Sequence, residues 1–348
     1  IILVLYWYYK KLSLNNKEGQ KMEIKEILKD ILKQKEARGK VKDIVWIAAG
    51  GSHGGFYPAQ YFMEHEAKSI RSMSFTSNEF VFSTPGFIGE NTIAVICSMR
   101  GTPETIEAAR IAKQKGASTI SLYVDESELT EICDYNILYQ SIAIDESDFS
   151  QVNAALGLKL AMTLVELVDG YQYYKEAMDT FEHIDEFYRQ AVENIRLSAI
   201  KWALQNKESQ TIYVMGSGPT YGAAYIFSIC NIMEMLQIDS STINCCEFFH
   251  GPFEVVNEDT SIFLLIGEGR CRKADERVIR FLDTFGGKKV YKLDARDIGL
   301  QNIDHHVSEY FNHLLFSPIL NNVYMRELAQ QIKKDYNTRT YMWKNAYK

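Results

Sequence analysis

The chain has 348 residues, too many for one core to absorb, so two domains of about 150 residues each are expected. Apolar and aromatic side chains make up 46% of it, as in a globular protein, and a formal net charge of -7 gives no electrostatic footprint for nucleic acid. An anionic small molecule is still allowed, because backbone N–H groups hold a phosphate without a basic surface.

In chain order, Ile1–Tyr9 is apolar and aromatic but falls short of the roughly 20 residues that a bilayer-crossing helix needs. Lys10 and Lys11 follow the apolar run instead of preceding it, which is the wrong order for a secretory signal. Residues 1–21 are therefore set apart as a leader, disordered or extraneous to the folded domains, and no membrane partner is expected. Beyond Met22, Ile24, Ile27, Leu28, Ile31 and Leu32 recur at helical spacing, with Gly39 as the stop. Ile44–Ala49 reads as a strand ended by Gly50-Gly51, Ser52–Ala67 as a helix, and Phe80–Phe82 as a strand. Thr92–Cys97 is a strand running into Ser98-Met99-Arg100-Gly101, followed by a helix over Thr105–Lys115 that Gly116 closes. Ser118–Val124 and Ile137–Tyr139 supply further strands, and Phe149–Asp169 and Tyr171–Leu204 are long helical patterns leading out of this half.

The second half begins the same arrangement again. Thr211–Met215 is a strand ending at Gly216-Ser217-Gly218-Pro219, and Tyr221–Ile238 a helix with Phe227, Ile232 and Leu236 on its inner side. Ile243–Phe248 is a short extended run broken at His250-Gly251-Pro252. Ser261–Ile266 and Val290–Leu293 are strands on either side of a helix over Arg272–Phe285, and Phe311–Lys334 is largely helical despite Pro318. Short strands alternating with helices give an α/β fold of doubly wound, mostly parallel sheets flanked by helices. WIAAGGSHGG and YVMGSGPTYG hold equivalent places in two repeats, so the domains are tandem. The boundary is placed in the helical connection, giving a first domain of 22–195 and a second of 196–348.

The six cysteines show no CxxC spacing, and Cys245-Cys246 would point to opposite faces of a strand, so no metal site is expected. Reduced thiols and a cytoplasmic location fit best. The strand–Gly–Ser–helix junctions carry the ligand argument. A phosphate placed there meets free N–H groups and the positive helix end, with hydroxyls as further donors. Gly51 and Ser52 stand at one junction, Ser98 and Thr102 at its neighbour, and Arg100 could add a charged contact. The loop lacks both the dinucleotide fingerprint and the Gly-Lys-Ser/Thr ending of a triphosphate loop. Helix capping alone is the competing explanation for one junction, and it is weaker for two adjacent ones whose hydroxyls converge.

Two further residues can move protons at neutral pH. Glu234 sits in an apolar helix, where a carboxylate is costly to bury unless it is paired or held for a task. His250 follows Phe248-Phe249 and precedes the Gly251-Pro252 turn, which would fix its imidazole at an element end. Taken singly, a surface glutamate and a packed histidine are the plainer readings. His53, His65, His183, His305, His306 and His313 are weaker site candidates.

Gly50–Ser52 (GGS), Ser98–Thr105 (SMRGTPET), Glu247–Val256 (EFFHGPFEVV) and the interval from Glu234 to His250 together resemble the sugar isomerase (SIS) domain family. Within it the chain is similar to fructosamine, or fructoselysine 6-phosphate, deglycases, and beyond them to the isomerase half of glucosamine-fructose-6-phosphate aminotransferase. The likeness runs from about Met22 to Lys348. It implies two tandem SIS domains, a homodimer, a phosphate bound by the first domain, and acid–base residues at Glu234 and His250, the imidazole often crossing to the partner's site. The phosphate loop departs from the family pattern, with Arg100 in place of the usual second hydroxyl.

The expected substrate is a phosphosugar-amine, a 6-phosphorylated ketosamine cleaved to an aldose 6-phosphate and a free amine or amino acid. That chemistry needs a positioned base and acid and calls for no cofactor. His250 is assigned as the proton-abstracting base and Glu234 as the acid, with the reverse open. Lys344 and Lys348 are candidate contacts to substrate charge. An aldose–ketose isomerase or aminosugar-phosphate deaminase would use the same relay. A catalytically silent phosphosugar sensor is an alternative of another class, and the single helix over Met22–Gly39 is too short to supply the helix-turn-helix expected with it.

Overall fold

The computed structural model of the chain describes residues 23–36 and 39–345; the leader and Lys348 lie outside the described residues. The first half runs α1 (Ile24–Glu36), β1 (Asp43–Ala48), α2 (Gly50–Gly55), α3 (Tyr57–Glu66), β2 (Arg71–Thr76), α4 (Ser77–Phe82), β3 (Thr92–Cys97), α5 (Pro103–Gln114), β4 (Ser118–Tyr123), α6 (Glu128–Ile132) and β5 (Tyr135–Leu138). All strand pairs are parallel, in the order β2-β1-β3-β4-β5. β1 and β3 are buried at every position, as their unbroken apolar runs require of strands covered on both faces.

Two long helices, α7 (Asn153–Val168) and α8 (Tyr174–Asn206), lead to a second parallel sheet. It comprises β6 (Thr211–Gly216), β7 (Asp239–Asn244), β8 (Ile262–Ile266) and β9 (Val290–Asp294) in the order β7-β6-β8-β9. Its helices are α9 (Tyr221–Ile226), α10 (Arg272–Phe285), α11 (Ser308–Ile319) and α12 (Met325–Gln331). In both sheets the strand order reverses beside the first strand of the half, which makes the carboxyl end of that strand a switch point where ligands bind. One continuous core joins the halves, from Ile27 of α1 to Ala329 of α12. In it Trp202 of α8 meets Phe263 of β8 edge to face at 5.1 Å and Tyr324 at 5.6 Å. Truncating a fully buried aromatic of this kind to Ala costs about 3–5 kcal/mol.

The structure corrects three expectations. Phe80–Phe82 is part of α4: Phe80 is buried while Phe82 is 86% exposed, and Thr76 caps the helix by accepting the Glu79 N–H at 3.4 Å. The strand before it is β2, an edge strand whose half-exposed RSMSFT sequence has no apolar run to announce it. In the second half the strand is β7, and Cys245–Phe249 is turn, so the cysteine pair does not alternate across a strand. The helix expected over Tyr221–Ile238 forms, but from Phe227 to Leu236 it is wound as a π-helix, and Leu320–Tyr324 forms a second π segment between α11 and α12. Such segments are rare and recur at functional sites.

The glycines of GGSHGG serve packing as well as the turn. A Cβ on Gly54 would lie 2.4 Å from the Ile226 side chain, and one on Gly222 would lie 2.4 Å from that of Tyr57. α2 of the first half and α9 of the second are thus pressed together on bare backbone, which fixes the strand-end junction of one half against the long helix of the other.

Candidate active site

The carboxyl end of the first sheet opens into a cavity of about 260 Å³ closed by the second half. Gly51 and Ser52 reach it from the start of α2 just after β1, Met99 from the turn after β3, and Asn153 from the start of α7. The opposite wall is Cys230, Asn231 and Glu234 of the first π segment, with His313, Ser317 and Asn321 of α11 and its continuation. Wider clefts of about 490 and 650 Å³ flank α1, but neither touches a strand-end glycine–serine junction or Glu234.

Glu234 is held in a defined pose. Its Oε1 accepts Arg339 Nε at 2.8 Å, and a terminal guanidinium nitrogen of Arg339 lies at 2.8 Å from the same oxygen. The Arg339 side chain is only 7% exposed; it also donates to the Tyr336 carbonyl at 2.6 Å and lies 5.3 Å from the Trp343 ring centre. The segment carrying it is tied to the same helix end. Gln237, left-handed at φ 58°, terminates the π segment, accepts from Lys334 at 2.6 Å and donates to Thr340 at 2.9 Å. Reading the sequence missed Arg339. The basic, aromatic RTYMW run is visible there, but its pairing with a carboxylate 105 positions away is a tertiary contact.

On the phosphate side, Ser52 is within hydrogen-bonding reach of the Cys97 thiol and the Tyr139 hydroxyl. Burial pushes Cys97 up to about 11 and raises Tyr139, so both stay neutral around the serine. Ser98 is buried and accepts the Thr102 N–H at 3.0 Å; Thr102, at the N-cap of α5, shares a hydroxyl contact with Thr105 at 2.9 Å. The parallel register sets Ala48 against Cys97, so the two junctions leave the sheet side by side. Gly101, between Ser98 and Thr102, has φ +69°, and a Cβ there would lie 2.3 Å from Ser127 Oγ, so the turn admits only glycine.

Gly51, Ser52 and Glu234 therefore share one cavity, with Ser98 and Thr102 on the adjoining turn. Three other expected residues stand apart. Arg100 is exposed and donates to Asp125 at 3.0 Å, and Lys344 is exposed away from the cavity lining. His250 is exposed in the turn after β7, its N–H bonded to the Glu247 carbonyl at 2.9 Å, and it does not line the cavity of its own chain. Of the weaker candidates only His313 reaches the cavity. Asp304, His305 and His306 gather at the surface, where His306 stacks on Tyr173 at 4.2 Å and bonds Asp304 at 2.9 Å. No helix of the described residues is long and apolar enough to cross a membrane.

No family model matches the chain. It is 32% identical to fructosamine deglycase FrlB of Bacillus subtilis (strain 168) over 328 residues, 93% of this chain and 97% of that protein. It is 21% identical to the fructoselysine 6-phosphate deglycase of Escherichia coli (strain K12) over 248 residues, 69% of each chain. A crystal structure described as a phosphosugar isomerase, from Salmonella typhimurium LT2, superposes with a TM-score of 0.88 at 37% identity, covering 93% of this chain and 98% of that one.

Proposed function

The chain belongs to the fructosamine deglycase family, built on two SIS-type sheets, and from that premise we propose that it cleaves a 6-phosphorylated ketosamine to an aldose 6-phosphate and a free amine or amino acid. The observation that carries this reading is Glu234, a carboxylate fixed by Arg339 and facing the Ser52 junction across a cavity that Gly51 also lines.

The 6-phosphate is assigned to the paired turns after β1 and β3. There Ser52, Ser98 and Thr102 offer hydroxyls, and α5 its N-terminal N–H groups. Among the described residues no lysine or arginine lines the cavity, so the donors assigned to the anion there are neutral. Arg100 contributes little, because it is engaged with Asp125. The sugar then extends from the phosphate toward Glu234.

A ketosamine bears its amine on C1, beside the C2 carbonyl. Taking a proton from C1 while the C2 oxygen gains one gives an enaminol. Protonation at C2 then leaves a C1=N imine. Water adds at C1, and collapse of that adduct releases the amine and leaves the aldose phosphate. We assign Glu234 as the base that takes the C1 proton and, once protonated, as the acid that delivers it to C2; at C1 this replaces His250, the base assigned from sequence. Arg339 fixes the carboxylate in place at the cavity wall, and one group on one face can shuttle the proton between neighbouring carbons. His250, exposed in its own chain, is assigned to ring opening in the partner's cavity, which makes a homodimer the working unit. The C2 carbonyl takes up the electron pair left when C1 loses its proton, and the protonated imine takes up the pair that water brings, so these residues and water carry each of the steps.

The test is turnover of 6-phosphorylated Amadori compounds of lysine, arginine, glycine and aspartate. Equimolar aldose 6-phosphate and free amino acid is the expected result. Interconversion of sugar phosphates without amine release would assign an isomerase, and ammonia release a deaminase.

A further inference from the structure

His313 lies on α11, in the wall of the cavity facing Ser52. Its side chain is 1% exposed, and neither ring nitrogen has a hydrogen-bond partner among the described residues. Burial pushes it down to about 3, so at working pH the ring is neutral, with one N–H donor and one acceptor nitrogen. On the same wall Asn231 is 1% exposed; its amide nitrogen donates to Asn321 Oδ1 at 2.7 Å, while its Oδ1 has no partner among the described residues. Buried polar groups are almost always paired, and leaving three such functions unmade around one cavity is costly unless something enters to pair them.

We propose that His313 is a substrate-binding residue that, with Asn231 Oδ1, hydrogen-bonds hydroxyls of the sugar chain between the phosphate and the reacting carbons. The polarity of the wall selects that partner. An anionic group would face the Asn231 oxygen and the Glu234 carboxylate, both repulsive. A cation would find acceptors in the ring nitrogen, Asn231 Oδ1 and Glu234 but would leave the imidazole N–H unpaired. A hydroxyl is donor and acceptor at once and satisfies both groups. The placement has a local cause: His313, Ser317 and Asn321 recur every four residues along α11 and its continuation and form one polar stripe facing the cavity, and the Asn231–Asn321 bond ties the two π segments together behind it. This inference rests on the phosphosugar reading above.

The test uses the full chain, with glucitol 6-phosphate as an open-chain polyol phosphate and inorganic phosphate as the control. In wild-type protein labelled with 15N histidine, glucitol 6-phosphate is expected to shift the His313 ring nitrogens, and inorganic phosphate is not. By calorimetry, His313→Leu should weaken glucitol 6-phosphate binding about tenfold, the size of one lost neutral hydrogen bond, with phosphate affinity unchanged and His313→Gln restoring part of the loss. Unmoved His313 resonances in wild type that binds glucitol 6-phosphate would overturn the inference alone. Equal weakening of both ligands in a folded His313→Leu protein would do the same, since a merely structural role predicts that result. Wild type that binds inorganic phosphate but no sugar phosphate would overturn the phosphosugar reading, and this inference with it.

Discussion

The two sheets end in nearly the same words and put them to opposite uses. After β1 the chain reads Gly50-Gly51-Ser52, and after β6 it reads Gly216-Ser217-Gly218, both at a switch point with a helix following. Ser52 faces a cavity. Ser217 is fully buried, and its hydroxyl donates at 2.5 Å to Asp275 of α10, whose other oxygen accepts the Gly267 N–H at 3.1 Å. The second half has thus filled its own anion position with a protein carboxylate. The corresponding turn of α5 carries Thr105 and Ile106, and the position in the first half stays open. The motif creates donors at a strand end; what stands on the next helix decides whether a ligand is needed to pair them.

If chemistry belongs to the first junction, the largest loss should come from the groups facing it. Glu234→Gln and His250→Asn are each expected to lower kcat by roughly 10²–10⁴-fold while the folded protein still binds phosphosugar. Mixing the two variants after subunit exchange should return roughly a quarter of wild-type turnover, since mixed dimers hold one complete site. Wild-type-like turnover by Glu234→Gln would remove the proposed mechanism, and failure of the mixture would remove only the shared site.

The filled junction should announce itself in stability instead. Burial raises Asp275 to about 6, above its ordinary 3.8, so between those values the native chain holds a proton that the unfolded chain releases. Stability from this group is therefore present at low pH and lost as pH rises through about 6. Relative to Asp275→Asn, wild type should lose about 2 kcal/mol between pH 4 and pH 7, read from urea midpoints. Parallel pH profiles for the two proteins would contradict the buried-carboxylate account.

A smaller and more direct contrast is available with serine. Ser98→Ala or Ser52→Ala should weaken phosphosugar binding by about 1–3 kcal/mol. Ser217→Ala should leave that affinity alone and lower only the melting temperature. Calorimetry on the three variants decides it, and equal losses of affinity would erase the distinction between the junctions. The smallest effect is expected at Arg100. Its exposed pair with Asp125 is worth about 0–1 kcal/mol, so Arg100→Ala should hardly change either affinity or stability.

Much of this was legible from residue order. β3 and α10 were bounded correctly from sequence because a β-branched run and a strongly amphipathic helix each carry a local period. β2 was missed because an edge strand needs no apolar face, and Phe80–Phe82 misled because aromatic residues suit strands and short helices alike. Glu234 and Ser52 were picked out singly, but nothing in the chain order places them around one cavity.

By itself the sequence determined the tandem α/β architecture, the two glycine–serine junctions and the residues able to move protons, since each follows from local period, turn chemistry or side-chain type. Tertiary structure alone decided which junction stays open, that Arg339 grips Glu234, that Arg100 is spent on Asp125, and that His313 is buried in the cavity wall without a partner among the described residues. The reason is physical: helix and strand are set by neighbours a few positions apart, whereas pairing, desolvation and cavity shape depend on groups a hundred or more residues distant, brought together only when the halves pack.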